Sequence, residues 1–370
     1  MIGVGILGTG FGKSVHIPAL RSHPYFKVVA IWGRTKATAQ QVAEAEGIPY
    51  YSDNWQELIN LPSVQVVSVT TPPFLHFAQA SAALSAGKHV LLEKPVTLNV
   101  TEAIALQQLA EDRNLIIGVD FEFRCVPEWR YFHDLLQEGI VGTPRLITIE
   151  WLVAGRANPT RQWNWYSQKA LGGGALGALA SHSFDYIHWL FGKVAGLSAQ
   201  LVTTIPTRPD SAGNPQPVDS EDTCSLFLRL VDGTPINLVI STVTYHGAGH
   251  WLAVYGDRGT LKLGSANLKD YIHGFQILQA TPDRELLAFT PIPDEYKFTE
   301  TFRDGRIAPV RAIYDRLANS ILNGTPMIPS IQEGIASQRL IDLAQLSAQT
   351  GSYIPSTQVQ QLSENPRAPS

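Results

Sequence analysis

Short apolar runs alternate with helically patterned stretches through the first third of the chain. Residues 3–7, 27–32, 64–70, 89–92 and 115–119 read as strands, with helices at 14–22, 37–46, 74–86 and 100–113 between them. Asn99 or Thr101 suits the cap of the last helix, and Gly87 ends the one before it. Strands alternating with helices predict a parallel sheet with crossover connections. Beyond Asp120 the pattern changes. Residues 127–137 read as a helix, followed by strand-like runs at 145–152, 199–204, 223–230, 236–244, 251–255 and 260–263. Consecutive strands favour a mainly antiparallel sheet, with turns at Asp232-Gly233-Thr234 and Asp257-Arg258-Gly259. Residues 208–219, rich in Pro, Gly and Asn, predict an exposed loop; 310–322 and 330–349 predict helices. The expected fold is thus an α/β domain over residues 1–122, an α+β domain over 123–356 and a flexible tail over 357–370.

Composition sharpens this division. The 370 residues exceed what one core usually serves, which favours two domains. Hydrophobic residues make up 44% and charged ones 16%, and the net charge of -4 comes without a basic block. Nucleic acid and anionic membrane are therefore not expected partners. Cys125 and Cys224 form neither a disulfide framework nor a metal spacing, which fits a reducing compartment. The first strand begins almost at Met1 and no apolar run approaches a membrane span, so the expected localisation is cytoplasmic.

Candidate chemistry gathers where the predicted parallel strands end. Gly8-Thr9-Gly10-Phe11-Gly12 follows a strand and opens a helix, the setting in which a glycine pattern signals dinucleotide binding. Gly8 permits the tight turn and Gly10 lets a pyrophosphate approach the helix N-terminus, while Lys13 stands where a third glycine or alanine usually packs. At the end of the second strand, Gly33 occupies the place of the acid that would bind a ribose 2′-hydroxyl. Arg34, with Thr35 and Lys36, suits a 2′-phosphate instead, so NADP is preferred to NAD. Thr71-Pro72-Pro73 takes the third strand out of the sheet, and His76 is either a crevice residue or simply a helix start. Glu93-Lys94-Pro95 closes the fourth strand with two charges and a rigid ring, which aims Lys94 at the crevice.

These segments, with Gly172-Gly173-Gly174 and His182-x-x-Asp185 further on, resemble the Gfo/Idh/MocA family of oxidoreductases in order and spacing over residues 2–354. The resemblance implies a Rossmann domain followed by an open, mainly antiparallel sheet that often makes homo-oligomer contacts. It implies NAD(P)-dependent hydride transfer at a carbinol or carbonyl carbon of a sugar, cyclitol or related small molecule. It also implies that Lys94 contacts cofactor and substrate and that His182 is the acid/base. Asp185, three residues on, shares a helical face with His182 and can orient it. Many members carry aspartate four residues before this histidine. Here that position is Ala178, and Ala180 replaces a usual glycine. That departure leaves a second expectation open, a cofactor-binding sensor with reduced or no turnover. Arg124 suits either a ligand or an interdomain salt bridge, and Trp163 and Tyr166 either a sugar ring or core packing. His246-x-x-x-His250 has metal-like spacing, but Gly247 and Gly249 break any helix there, so no metal is expected.

Overall fold

The computed structural model describes residues 1–267, 269–270, 272–283 and 287–358. All but the first two residues of the expected tail over 357–370 lie outside them. The chain divides into two units. One takes in residues 1–125 and 300–338, the other 126–299 and 339–370.

The first unit begins with β1 (Ile2–Leu7), followed by a π-helical turn over Gly12–His16 that runs into α1 (Ile17–Arg21). Then come β2 (Phe26–Trp32), α2 (Lys36–Glu46), β3 (Tyr50–Ser52), α3 (Trp55–Ile59) and β4 (Val66–Val69). The remaining elements of this stretch are α4 (Pro73–Ser85), β5 (His89–Leu92), α5 (Val100–Asp112) and β6 (Ile117–Val119). The six strands pair in parallel in the order β3-β2-β1-β4-β5-β6. This is the doubly wound dinucleotide-binding order, which places a crevice at the strands' carboxyl ends. All six residues of β1 are buried, as a central strand covered on both faces requires. Asn99 caps α5, its side chain accepting from the Glu102 N–H at 3.0 Å, and Gly87 takes φ +75° after α4. The strand β3 and helix α3 are too short, at five residues or fewer, to leave a periodic signal in the sequence.

The second unit starts with α6 (Pro127–Gln137) and β7 (Pro144–Leu152), then α7 (Ser181–Phe191) and β8 (Val194–Val202). A small antiparallel pair, β9 (Thr207–Pro209) and β10 (Pro215–Pro217), crosses the stretch expected to be an exposed loop, and Arg208 within it is buried. The sheet continues with β11 (Thr223–Leu230), β12 (Pro235–Ser241), β13 (Gly249–Gly256), β14 (Thr260–Ser265), β15 (Gln276–Ala280) and β16 (Ala288–Thr290). Helix α8 (Ile307–Asn323) belongs to the first unit, α9 (Ile331–Thr350) spans the boundary, and β17 (Ile354–Pro355) joins the edge of the large sheet. Its order is β16-β15-β14-β13-β7-β12-β11-β8-β17, antiparallel except where β12 runs parallel to β7. Cys224, Leu226, Leu228 and Leu230 of β11 are buried while Ser225, Phe227 and Arg229 are exposed. That alternation marks an open sheet with one covered face. Among the described residues no helix is long and apolar enough to cross a membrane.

Candidate active site

In the first unit the glycine loop is built by close approach. Gly8 has φ +125°, and a Cβ there would meet Thr70 Oγ1 and the Thr70 carbonyl. A Cβ on Gly12 would strike Thr70 Oγ1 at 2.6 Å and Ile6 Cγ2 at 2.8 Å, so Gly12 packs the helix onto the sheet while Lys13 stays exposed. At Gly10 a Cβ would meet nothing within 4 Å. A cradle that is packed at its ends and open at Gly10 fits a pyrophosphate.

The end of β2 explains the missing acid. A Cβ on Gly33 would lie 2.9 Å from Thr38 Oγ1 and 3.0 Å from both the Ala39 nitrogen and Thr9 Cγ2. Thr9 of the glycine loop and the start of α2 leave no room there for a carboxylate. Thr35 caps α2, accepting from the Thr38 N–H at 3.3 Å, and Arg34 and Lys36 are exposed with no acid in the helix's first turn.

Two further loops are tied to each other. His76 is fully buried, with Nε2 2.7 Å from the Thr71 carbonyl and Nδ1 2.9 Å from the Pro95 carbonyl. A neutral imidazole has one N–H, so only one of these contacts is a hydrogen bond at a time. Burial, working against those backbone contacts, lowers the His76 pKa. His76 thus braces the Thr71-Pro72-Pro73 turn against Glu93-Lys94-Pro95. The Thr71 hydroxyl donates to Gln79 Oε1 at 2.7 Å.

Behind Lys94 lies a buried polar cluster that the sequence did not reveal. His16 Nε2 is 3.0 Å from Glu93 Oε1 and 3.4 Å from Asp120 Oδ2. Its Nδ1 is 2.9 Å from the Tyr314 hydroxyl and 3.1 Å from Ser68 Oγ, and Tyr314 donates to Ser68 at 3.0 Å. Burial alone would depress His16, but Tyr314, Asp120 and Glu93 lift it well above its usual value. Burial and the Glu93 charge push Asp120 up to about 7. Burial and Asp120 push Glu122 up to about 8, against the pull of Lys94. Burial works to raise Glu93 too, yet His16 and then Lys94 hold it below its ordinary range. Of the two neighbouring carboxyls, Asp120 is thus the one whose charged form is disfavoured and Glu93 the one whose charge is supported. His16, Glu93 and Asp120 are also the one group among the described residues with the composition of a metal site. The Nε2–Oε1 separation is that of a hydrogen bond.

Arg124 lies buried in a short 3₁₀ turn (Glu122–Cys125), its carbonyl accepting from Arg316 at 3.4 Å.

In the second unit the glycine triplet is again a matter of room. Gly172 and Gly174 have φ +74° and +105°, and a Cβ on Gly173 or Gly174 would run into the Tyr166 carbonyl or the Glu221 carboxylate. Glu221 Oε1 accepts from the Leu176 N–H at 2.9 Å, holding the π-helical turn Leu176–Ala180 that leads into α7. His182 and Asp185 are both buried, three residues apart on α7. The His182 ring lies 6.2 Å from Trp151 of β7, which stacks on His250 at 4.0 Å and 3°. His250 Nε2 is 3.1 Å from the Tyr186 hydroxyl, and burial drives its pKa down to about 3, so the ring is neutral. His246 sits in the preceding turn at φ +54°. Trp163 gives its indole N–H to the Pro217 carbonyl at 2.9 Å and so braces the β9–β10 pair. Tyr166 is buried beneath Arg156, whose guanidinium carbon is 3.2 Å from the ring centroid.

Residues 2–121 match the oxidoreductase family model described as an NAD-binding Rossmann fold, and residues 133–355 match that family's C-terminal α/β domain. The chain belongs to the Gfo/Idh/MocA oxidoreductase family. An uncharacterised oxidoreductase of Synechocystis sp. is 46% identical over 353 residues, 95% of each chain. Levoglucosan dehydrogenase of Pseudarthrobacter phenanthrenivorans is 29% identical over 70% of this chain and 73% of its own. A solved levoglucosan dehydrogenase, in complex with NADH and L-sorbose, superposes with a TM-score of 0.84 at 24% identity, covering 96% of this chain and 99% of that one. The protein is thus an NAD-binding oxidoreductase of the Gfo/Idh/MocA family, a Rossmann domain followed by an α/β domain with a large mixed sheet.

For a Gfo/Idh/MocA chain the missed residues are instructive. Ser68 and Tyr314 are ordinary apolar-strand and helix residues in the sequence, separated by 246 positions, and only the fold brings them onto His16. His16 and Asp120 carried a usable signal, since buried ionisable residues at strand ends and in a cofactor helix are uncommon.

Proposed function

We propose that the protein is a dehydrogenase or reductase that moves hydride between nicotinamide C4 and a carbinol or carbonyl carbon of a sugar-like small molecule. The observation that carries this reading is Lys94 at the end of β5, in a turn fixed on one side by His76 and on the other by the His16–Glu93–Asp120 cluster. The cofactor, when bound, accepts or gives the hydride. Gly8, Thr9, Gly10, Phe11 and Gly12 hold its pyrophosphate, and Thr71 and Pro72 line the strand-end crevice. In the oxidative direction the carbinol carbon loses hydride, the hydroxyl proton passes to the His182 imidazole, and Lys94 donates a hydrogen bond to the oxygen throughout. Asp185 orients His182 from the same helix.

NADP(H) is the preferred cofactor in this reading. Gly33 excludes the acid, and Arg34 with Thr35 faces the 2′ position with a planar fork and a helix N-terminus. The neighbour crystallised with NADH supplies the competing expectation for cofactor, and levoglucosan supplies one for substrate. The exposed strip of the sheet, with Phe227 and Tyr255, is the surface for a second copy of the chain. The two free, buried cysteines suit a cytoplasmic setting.

Ala178 favours a second reading, a nucleotide-bound sensor, because it removes a carboxylate four residues before His182. Initial rates of nicotinamide reduction with NAD⁺ and NADP⁺ over a panel of levoglucosan, aldoses and cyclitols decide between them. Turnover of any member supports the dehydrogenase. Tight nucleotide binding with no turnover across the panel favours the sensor.

A further inference from the structure

The loop after β7 carries three arginines whose charges are unevenly answered. Arg208 donates to the Asn158 carbonyl at 2.8 Å and the Arg156 carbonyl at 2.7 Å, and Arg161 donates to the Gly155 carbonyl at 2.9 Å. Both brace the loop backbone, and Asp222 lies close enough to Arg208 to favour its charge. Arg156 is different. Its guanidinium carbon lies over the Tyr166 ring, and among the described residues no carboxylate pairs with it. Burial pulls its pKa down to about 10; Tyr166 works against that fall, and the like charges of Arg161 and Arg208 add to it. A largely desolvated cation with like-charged neighbours is unfavourable until an anion neutralises it. Tyr166 beneath supplies part of the compensation through a cation–π contact and a side-chain hydrogen bond, and it holds the guanidinium in place.

The position is informative. Tyr166 packs against the glycine triplet through its carbonyl, and the triplet runs by way of Leu176–Ala180 into the helix that bears His182. Trp151, in β7 just before the same loop, lies 6.2 Å from the His182 ring. Arg156 is thus carried by a loop that leaves the strand beside the proposed acid/base and packs on the ring that abuts the glycine triplet. A planar guanidinium fixed on an aromatic ring recognises a carboxylate or phosphate through two parallel hydrogen bonds.

We propose that Arg156, seated on Tyr166, is an anion-recognising residue of the substrate site, and that the substrate is a sugar-sized molecule carrying a carboxylate or a phosphate. This rests on the dehydrogenase reading above for the identity of the site, and it narrows the substrate class.

The test compares three probes of one ring type: glucose, glucuronate and glucose 6-phosphate. Each is titrated calorimetrically into the NADP⁺-loaded or NAD⁺-loaded protein, and each is assayed for nicotinamide reduction. Glucuronate or glucose 6-phosphate should bind at least about tenfold more tightly than glucose, as a charge-assisted bidentate contact implies. Whichever anion wins distinguishes carboxylate from phosphate. In Arg156→Gln the ratio of anionic to neutral affinity should collapse by about tenfold or more. Arg156→Lys, which keeps the charge and loses the fork, should fall between. Circular dichroism and the melting temperature establish that each variant is folded. Equal binding of all three probes by the wild-type protein overturns the proposal, whatever the variants do, and so does failure of both anions to bind. An unchanged ratio in folded Arg156→Gln does the same. Anion binding that depends on Arg156, without turnover of any alcohol, would sink the dehydrogenase reading and leave the anion site standing. Turnover indifferent to Arg156 would do the reverse.

Discussion

Around Lys94 the polar groups are wired to one another, whereas around His182 they are walled in by rings. In the Rossmann unit, His16 reaches Glu93, Asp120, Ser68 and Tyr314 within 3.4 Å. In the sheet unit, Trp151 lies beside His182 and stacks on His250, Tyr186 and Trp129 follow at 4.5 Å, and Arg156 rides on Tyr166. The first arrangement fixes charge and the number of protons; the second fixes shape and dielectric. A lysine that must meet growing negative charge benefits from a defined electrostatic background, while an acid/base that must change charge benefits from a rigid slot. The comparison also assigns different kinds of fragility to the two units. Electrostatic changes should act through the first unit, and packing changes through the second.

The strongest way to break this contrast is to remove its centre. Lys94→Ala should lower kcat by roughly 10²–10³-fold, the range expected when a donor to the reacting oxygen is deleted. The melting temperature should barely change, because Lys94 is the only partly exposed member of the Glu-Lys-Pro turn. Single-turnover rates with saturating nucleotide measure it, and normal kinetics would take Lys94 out of the chemistry.

Arg34→Ala should act next most strongly and on one nucleotide only. Loss of charge-assisted hydrogen bonds to a 2′-phosphate corresponds to about 1.5–3 kcal/mol, or roughly 10–100-fold in affinity. NADPH titrations should show that loss while NADH binding changes little; equal losses would mean that Arg34 does not meet the 2′ position. Because Gly33 has no room for a side chain, Gly33→Asp should weaken both nucleotides and leave NADH without any gain.

Asp120→Asn tests the proton count of the wired cluster. Asp120 holds its proton up to about pH 7 in the folded chain and only to about 4 when unfolded. A raised pKa gives stability that is fully present below the unfolded value and lost as pH rises through the folded one. His16, also raised, contributes in the same direction from about its ordinary value upward. The melting temperature of the wild-type protein should therefore fall between pH 5 and pH 8, and the fall should be shallower in Asp120→Asn. An identical slope in the two proteins would place that proton elsewhere.

The same two regions show what a sequence reveals. The ends of the parallel strands were legible because their signals are local: Gly8 needs φ +125°, Asn99 caps the next turn, and Glu93-Lys94-Pro95 closes a strand. The large sheet was legible strand by strand from alternation, as in β11, but the parallel pairing of β12 with β7 was not. That register is set by partners about 90 residues apart. The backbone contacts of His76 and Trp163 were not legible for a related reason. Each carries the composition of a ligand contact, and each is engaged by a backbone carbonyl that only the tertiary fold brings near. Arg208, read as part of an exposed loop, is buried because two carbonyls of the loop after β7 take up its donors.

The smallest expected effect concerns Asp185. It is buried on α7 three residues after His182. If that carboxylate favours the protonated imidazole, replacing it with asparagine keeps the shape and removes the charge. The acid limb of the pH–rate profile should then move to lower pH by about one unit, since a nearby opposite charge typically shifts a titration by that much. The limiting kcat should change by less than the profile does, because asparagine can still hold the helix face. A profile that stays in place while the melting temperature drops would assign Asp185 to packing. In that case Asp185 would not replace the family's carboxylate missing at Ala178.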